Sequence, residues 1–393
     1  MRCDGLVAEV QDWAAGLEEV HARIAGAFAR AEPRARVLAY LRGLLGQLEH
    51  KNGWTLAEAA GEVSPDGMQR LLRTADWNAD AVRDELRAFV VERLGPGGVL
   101  IVDETGFIKK GARSAGVARQ YTGTSGKIDN CQLGVFLAYG SARGRALVDR
   151  ELYLSTSWTE DADRCAAAGI PAETGFATKP QLGVDMLARA HAAGVLVGWV
   201  TADEAFGQNR AFRSWLAAHE VPFVLATRSD DTVACPDRRR HQAKRLAALA
   251  GDRAWERRSA GPGAHGERLY DWTVLALDAT AKPDGLPTGW GHWLLVRRQI
   301  DPQPGKDSEL AFYRCAGPAA TPAPELIRVA GARWAIEECF QTAKNEAGLD
   351  HYQVRGYRAW YAHITLAMLA AAYLAATRAQ EAKKGDPRPV ATG

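Results

Sequence analysis

Residues 333–344 place acidic and basic side chains at a spacing that could bind a metal ion and a polyanion. Their pattern predicts an α-helix, which turns about 100° per residue. Relative to Arg333, Glu337 then lies at about 40° and Lys344 at about 20°, whereas Glu338 lies at about 140°. One carboxylate therefore shares a stripe with two cations. The alternative is a solvated helix face with pairing between side chains four residues apart.

Two aspartates follow apolar runs that predict buried strands. Asp103 directly follows the apolar run 99–102. Asp203 lies two residues after the apolar run 195–201. Ligands of open α/β sheets bind at the carboxyl ends of strands, so both positions suit a site. Each aspartate is either an N-cap of the next element or a metal ligand. Together with Glu337 they predict a three-carboxylate cluster of the kind that holds two Mg²⁺ ions.

Other side chains compete with this choice. Glu104 and Glu204 adjoin the aspartates but point to the opposite face, and Glu338 is rotated about 100° from Glu337. Trp290 and Trp293 could stack on an extruded base, or could pack inside a β-rich region. The basic residues that we expect to contact a DNA backbone, unless they are simply solvated, are Lys109, Lys110 and Arg113 after the first aspartate and Arg238, Arg239 and Arg240 in a later basic run.

Size and composition set limits on the class of protein. The 393 residues suffice for two or three domains, and 47% hydrophobic with 24% charged residues is ordinary for a soluble globular chain. The six cysteines are scattered without a C-x-x-C pair, which argues against a zinc site and fits a reducing cytosol. No signal-peptide pattern opens the chain, and the apolar helix at about 364–376 is too short to span a bilayer. These features predict a cytoplasmic protein.

Hydrophobic periodicity changes along the chain and predicts five segments. Residues 1–95 are helical, and their short helices fit either a helix-turn-helix DNA-binding domain or a plain bundle. Residues 96–227 alternate strands and helices, which predicts the first part of an α/β core. Residues 228–318 predict a mostly β insertion, residues 319–378 the second part of the core with the 333–344 helix, and residues 379–393 a disordered tail.

Three segments in order carry a resemblance to a known family. Residues 102–107, residues 200–204 and the 333–344 helix resemble the DDE transposases of bacterial insertion sequences, and most closely the insertion sequence 701 family within the wider insertion sequence 4-like group. The likeness includes residues 51–54 and 349–355. Arg333, Glu337 and Lys344 match the last three positions of the group's Tyr-x2-Arg-x3-Glu-x6-Lys motif, whereas Ala330 stands at the tyrosine position.

The resemblance implies an RNase H-like catalytic core and cut-and-paste DNA transposition. Asp103, Asp203 and Glu337 would hold two Mg²⁺ ions, with Mn²⁺ as a substitute, while Arg333 and Lys344 would bind phosphates beside the cut. The partners would be double-stranded DNA, as terminal inverted repeats and target, and a second copy of the chain; the enzyme would be associated with the bacterial nucleoid. The alternatives are a transposase-derived regulator that binds DNA without cleaving it, and a two-metal nuclease that lacks strand transfer.

Overall fold

The computed structural model describes residues 3–195, 197–263, 266–280, 285–302 and 308–385. The helices are α1 Cys3–Ile24, α2 Ala31–Leu45, α3 Gly53–Ala59, α4 Asp66–Arg73, α5 Ala79–Leu94, α6 Thr156–Thr159, α7 Ala162–Ala168, α8 Lys179–Ala192, α9 Glu204–Gly207, α10 Arg210–Ala218, α11 Ala243–Leu249, α12 Ala323–Ala332, α13 Trp334–Ala347 and α14 Tyr357–Gly385. The strands are β1 Val99–Ile108, β2 Ala118–Thr122, β3 Lys127–Ser141, β4 Gly144–Tyr153, β5 Trp199–Ala202, β6 Phe223–Thr227, β7 Thr232–Ala234, β8 Arg240–Gln242, β9 Glu256–Gly263, β10 Gly266–Ala276, β11 Trp290–Arg298 and β12 Leu310–Pro318.

The chain divides into two units. Unit 1 contains residues 1–95, 104–177 and 338–393, and unit 2 contains residues 96–103 and 178–337. The division passes through β1 after Asp103 and through α13 after Glu337. The sequence predicts five consecutive segments, whereas each of these units combines stretches from separate parts of the chain. The predicted domain boundaries stay predictions.

Unit 2 is built on a mixed sheet in the order β1-β5-β6-β12-β11-β10-β9. β1, β5 and β6 run parallel, and they are buried, apolar strands such as the sequence pattern predicts. β12 joins β6 antiparallel, from Phe312 opposite Thr227 to Ala316 opposite Phe223. Strands from the predicted β insertion thus extend the same sheet as the parallel strands. The prediction of an α/β protein is confirmed, whereas the RNase H-like core stays a prediction.

A small second core lies within the region of the predicted insertion. β7 and β8 form a hairpin, and α11 follows directly. Apolar side chains of these elements pack against strands β11 and β12; the buried members of this cluster are Val233, Ala243, Ala247, Leu277, Leu294, Val296 and Phe312. The cluster joins the hairpin to the sheet of unit 2.

Unit 1 combines N-terminal helices with the long helix α14 and the strands β2, β3 and β4. β3 pairs antiparallel with both β2 and β4, and α14 packs against α5 and β4. α14 is long and apolar enough to cross a membrane, but 83% of its most apolar stretch is buried within the protein. The prediction of a short apolar helix is therefore wrong about length, and burial explains its composition instead. α14 also includes residues 379–385 of the predicted tail, while residues 386–393 lie outside the described part.

Predicted elements near the candidate site differ from the structure in their bounds. The strand predicted from the run 195–201 begins only at Trp199 and ends at Ala202. The first strand continues past residue 102 to Ile108, so Asp103 lies inside β1 and not after it. The helix predicted for residues 333–344 begins at Trp334, since Arg333 separates α12 from α13. The backbone of Arg333 keeps helical angles, φ −53° and ψ −36°. These differences concern the segments that carry the candidate site.

Candidate active site

Asp103 lies at the point where β1 leaves its parallel partner. Val102 opposite Ala202 is the last pair of the β1–β5 register, and Asp103 follows it directly. The preceding four residues are buried, whereas the side chain of Asp103 is 14% exposed. The end of the parallel pairing, not the end of the strand, thus places this carboxylate at the carboxyl edge of the sheet.

Asp203 follows β5 immediately and caps α9. Its Oδ1 accepts hydrogen bonds from the backbone N–H groups of Ala205 at 2.9 Å and Phe206 at 3.4 Å. This is the N-cap role that the sequence left open beside metal binding. A carboxylate has two oxygens, so a cap through Oδ1 is compatible with a ligand at Oδ2.

Arg333 connects the first and last of the predicted carboxylates. Its Nη1 donates to Oδ2 of Asp103 at 3.4 Å, and its Nη2 donates to Oε1 of Glu337 at 3.1 Å. The side chain of Arg333 is 28% exposed, and that of Glu337 is 40% exposed. Residues 333 and 337 thus form the pair four residues apart that the solvated-face alternative predicts, and the same arginine also binds a carboxylate from β1.

The charges around Arg333 are negative. Burial acts to lower the pKa of the Arg333 guanidinium, but the charges of Asp103, Glu337 and Asp203 raise it above its ordinary value. A guanidinium in this setting stays protonated. All three predicted carboxylates thus act electrostatically on one cation.

The donor chemistry at this position suits a hard divalent cation. Carboxylate oxygens are the ligands that Mg²⁺ prefers, and the three carboxylates here come from β1, the β5–α9 junction and α13. Within the described residues, no group of three or more histidine, cysteine, aspartate or glutamate side chains is arranged to hold a metal ion. Arg333 instead makes the contacts to Asp103 and Glu337. Ions at these carboxylates would have to replace that cation.

A groove of about 770 Å³ opens beside Asp203 within unit 2. Four arginines line it: Arg228, Arg268, Arg297 and Arg333. Neighbouring groups orient three of them. Arg228 pairs with Asp230 at 2.9 Å, Arg297 lies 4.5 Å from the ring centroid of Tyr270, and Nη2 of Arg268 donates to the carbonyl oxygen of Ala260 at 2.7 Å. The four arginines outnumber the three carboxylates of the lining, Asp203, Glu204 and Asp230, so the groove keeps a positive formal charge that attracts polyanions.

Sequence reasoning did not find the arginines at positions 228, 268 and 297. The strand-end rule that selected Asp203 also applies to Arg228, which directly follows β6, the third parallel strand. No comparable signal marks Arg268 or Arg297. Ala330, at the tyrosine position of the motif, also lines the groove.

Comparison with known proteins agrees with this geometry. Residues 23–291, more than half of the chain, match the family model of the DDE superfamily endonucleases. The chain belongs to the DDE superfamily endonuclease family. It is also 25% identical, over 80% of its own length and 75% of the relative's, to the probable transposase for insertion sequence element IS701 of Microchaete diplosiphon. The predicted resemblance to DDE transposases and the prediction of a nuclease or transposase enzyme are confirmed.

The family match covers both aspartates but ends before the third carboxylate. Asp103 and Asp203 lie inside residues 23–291, whereas Arg333 and Glu337 lie beyond them. Nucleases of the DDE superfamily generally use divalent metals. The catalytic role of each carboxylate in this DDE enzyme stays a prediction.

The other predicted basic residues of the DDE enzyme lie at several places. In unit 1, Lys344 Nζ donates to Oγ1 of Thr105 at 2.9 Å, and Lys109 Nζ lies 3.5 Å from the ring centroid of Tyr352. Burial lowers the pKa of Lys109 to about 8 and also lowers that of Lys344, in each case against the charge of Asp350. Lys110 and Arg113 are exposed in the loop after β1.

In unit 2, Arg238, Arg239 and Arg240 are exposed at the β7–β8 hairpin. Arg239 pairs with Asp237 at 3.8 Å, and Arg240 donates to the carbonyl oxygen of Thr232 at 3.3 Å. Trp290 and Trp293 lie on β11 and are half-buried, and neither lines the arginine groove. Roles for these residues in DNA binding stay predictions.

The competing glutamates have different surroundings. Glu338 forms an ion pair with Arg145 within unit 1, whereas Glu337 pairs with Arg333 within unit 2. Glu204 belongs to the first turn of α9 and lines the arginine groove together with Asp203. The side chain at 337 is thus the one that shares a cation with Asp103.

Proposed function

We propose that this protein is a DNA transposase that cleaves transposon ends and joins them to target DNA by a cut-and-paste, two-metal mechanism. Asp103, Asp203 and Glu337 would hold two Mg²⁺ ions, or Mn²⁺ in their place, in an RNase H-like core. The single observation that carries the proposal is the pairing of Arg333 with Asp103 and Glu337 at the edge of an arginine-lined groove that Asp203 also lines. Carboxylates paired with an arginine of such a groove serve cleavage better than binding alone.

In this proposal the acidic residues bind the metal ions and the basic residues bind phosphates. When bound, the ions would activate a water molecule or the 3′-hydroxyl of a DNA strand, and would stabilise the charge on the leaving oxygen of the phosphodiester. The ions would displace Arg333 from the carboxylates. Its N–H groups would then donate to a phosphate of the bound DNA. Arg228, Arg268 and Arg297 would hold neighbouring phosphates along the groove.

DNA contacts outside the groove belong to the same proposal. Lys344 would bind a phosphate after exchanging its bond to Thr105, and the exposed Lys110, Arg113 and the β7–β8 arginines would contact the backbone. Lys109, packed on Tyr352, would support this surface. The enzyme would act on double-stranded transposon ends and target DNA as a homodimer in the cytoplasm, where transposases are normally found.

Plasmid nicking separates cleavage from binding. The wild-type protein should nick supercoiled DNA that carries its transposon ends when Mg²⁺ is present and not in EDTA. Glu337→Gln should abolish nicking and keep end binding, whereas the matched variant Glu338→Gln, one position along α13, should nick at close to the wild-type rate. Loss with Glu338→Gln and retention with Glu337→Gln would reverse the assignment of the third carboxylate.

Two further outcomes identify the alternatives. Binding of ends without any nicking would indicate a regulator derived from a transposase. Nicking without joining, in a strand-transfer reaction that starts from pre-cleaved ends, would indicate a two-metal nuclease. Joined products with wild type, and none with Asp103→Asn, are the result expected of a transposase.

A further inference from the structure

Two segments that the site does not use meet inside unit 1. They are residues 51–54 and residues 349–355, about three hundred positions apart in the chain. The backbone N–H of Lys51 donates to Nδ1 of His351 at 3.1 Å. The Lys51 ammonium is buried and donates to the carbonyl oxygens of Leu44, at 2.6 Å, and Glu346. Lys51 thus holds the two segments together and has its charge directed inward.

The two segments form the walls of a pocket of about 640 Å³. α3, α4 and the end of α7 complete it, and its lining includes Arg73, Arg355 and Arg358. Ligand pockets in proteins commonly have volumes of roughly 300–1,000 Å³. The pocket is therefore large enough for a nucleotide and much too small for a DNA duplex.

Trp54 is the unusual residue of this pocket. Its side chain is 64% exposed, although tryptophan is among the residues most strongly favoured by burial. The capping side chain of Asn52 accepts from the backbone N–H of Trp54 at 2.9 Å and of Thr55 at 3.3 Å, which fixes the first turn of α3. The indole is thus presented on a rigid backbone with much of its surface available.

Cations accompany the exposed indole. Arg73, at the end of α4, and Arg355, in the segment before α14, are both exposed and line the same pocket. Arg358 also lines it, and its guanidinium donates to the carbonyl oxygens of Ala75 and Trp77, which fixes it on the wall. An aromatic face beside positive charges is the arrangement that binds unpaired nucleic-acid bases through stacking and their phosphates through charge.

We propose that this pocket binds an unpaired nucleotide of the DNA substrate, with its base stacked on Trp54 and its phosphates held by Arg73 and Arg355. The proposal rests on the proposed function for the presence of DNA. A base inside a duplex has both faces covered by its neighbours and offers none to an indole, whereas an unpaired base at a strand end or a flipped position does. The pocket therefore selects single-stranded over paired DNA.

Binding in EDTA tests the pocket without any catalysis. The full-length protein is titrated into a fluorescein-labelled single-stranded oligonucleotide and, separately, into the blunt duplex of the same sequence, with anisotropy as the readout. Trp54→Ala should weaken single-strand binding by roughly tenfold to a hundredfold, because the base loses its stacking partner. Arg355→Ala should weaken it less, because only a phosphate contact is lost. Both variants should bind the duplex with little change in affinity. Trp54→Phe should restore most of the affinity, because phenylalanine also stacks.

Matched controls lie in the same unit. Trp13→Ala removes another exposed tryptophan, 40% exposed on α1, and Arg378→Ala removes an exposed arginine on α14; both should bind as the wild type does. Wild-type affinity in Trp54→Ala and in Arg355→Ala would overturn the proposal. Equal losses for single strand and duplex would also overturn it, since the pocket would then contact paired DNA. Because no cleavage is measured, failure of Mg²⁺-dependent nicking would count against the proposed function alone.

Discussion

Arg333 donates a hydrogen bond of 3.4 Å to Asp103, which lies 230 positions earlier in the chain. The same guanidinium binds Glu337, one helical turn further along α13. Two carboxylates that repel each other are thereby held around a single positive charge. A divalent cation could take over this charge balance and release Arg333 toward a phosphate.

The first prediction concerns the charge of Arg333. Arg333→Gln removes the cation between Asp103 and Glu337, so the variant should melt a few degrees below the wild type in EDTA. Mg²⁺ should then raise its melting temperature by more than it raises that of the wild type, because the ion no longer competes with a guanidinium. Thermal unfolding with and without MgCl₂ measures both effects. Arg145→Gln, which removes the partner of Glu338, is the control, and an unchanged Mg²⁺ response in Arg333→Gln would contradict the prediction.

A second prediction separates the two roles of Asp203. Asparagine caps helices as well as aspartate does, but it lacks the charge of a metal ligand. Asp203→Asn should therefore keep the free energy of unfolding and lose nicking, whereas Asp203→Ala should lose nicking and about 1 kcal/mol of stability as well. Chemical denaturation and the nicking reaction measure the two quantities on the same preparations. Full nicking activity in Asp203→Asn would show that Asp203 only caps α9 and does not bind a metal ion.

The arginine groove predicts a change in salt dependence. Each phosphate contact that is lost should lower the slope of log affinity against log salt by about one, without favouring any sequence. Arg228→Ala and Arg297→Ala should each show this change on duplex DNA, measured by anisotropy between low and physiological salt. Arg42→Ala, an exposed arginine of α2 in unit 1, should retain the wild-type slope. If both groove variants kept the wild-type slope of log affinity against log salt, the groove would not be the DNA-binding surface.

The fourth prediction is a pH dependence of stability. His363 is fully buried; its Nδ1 contacts the hydroxyl of Tyr40 at 2.7 Å, and its Nε2 contacts the carbonyl oxygen of Gly348 at 3.0 Å. Burial lowers the pKa of His363 to about 4, although the bond to Gly348 opposes this. Between the unfolded value of about 6.5 and that lowered value, the unfolded chain binds more protons than the folded one. His363 thus stabilises the protein above pH 6.5, and this contribution is lost as the pH falls toward 4.

Urea unfolding at pH 7.5 and pH 4.5 checks this dependence. The free energy of unfolding should fall between these values, by at most about 1.4 kcal/mol per pH unit from this one group. His363→Gln keeps a donor and an acceptor but does not titrate, so its loss over the same interval should be smaller. An equal loss in wild type and variant would assign the acid sensitivity to other groups.

Local patterns in the sequence were sufficient for much of this molecule. The strands before residue 103 and up to Ala202 follow from continuous apolar runs, and the helix at 333–344 follows from side-chain spacing at 3.6 residues per turn. Neighbouring positions specify both patterns. They located the three carboxylates and chose Glu337 over Glu338 by rotation about the helix. The same residues, taken in order, carried the resemblance to DDE transposases that the family comparison confirmed.

Only the tertiary structure decided which distant groups share a charge or a pocket. The bond between Arg333 and Asp103 joins segments from separate parts of the chain, as do the arginines beside Asp203 and the pocket that Trp54 and Arg355 both line. Such contacts depend on how strands register and helices pack, and no local period encodes them. The sequence by itself determined the family and the candidate carboxylates; packing between remote segments determined that an arginine holds two of them and that an exposed tryptophan opens onto a second pocket.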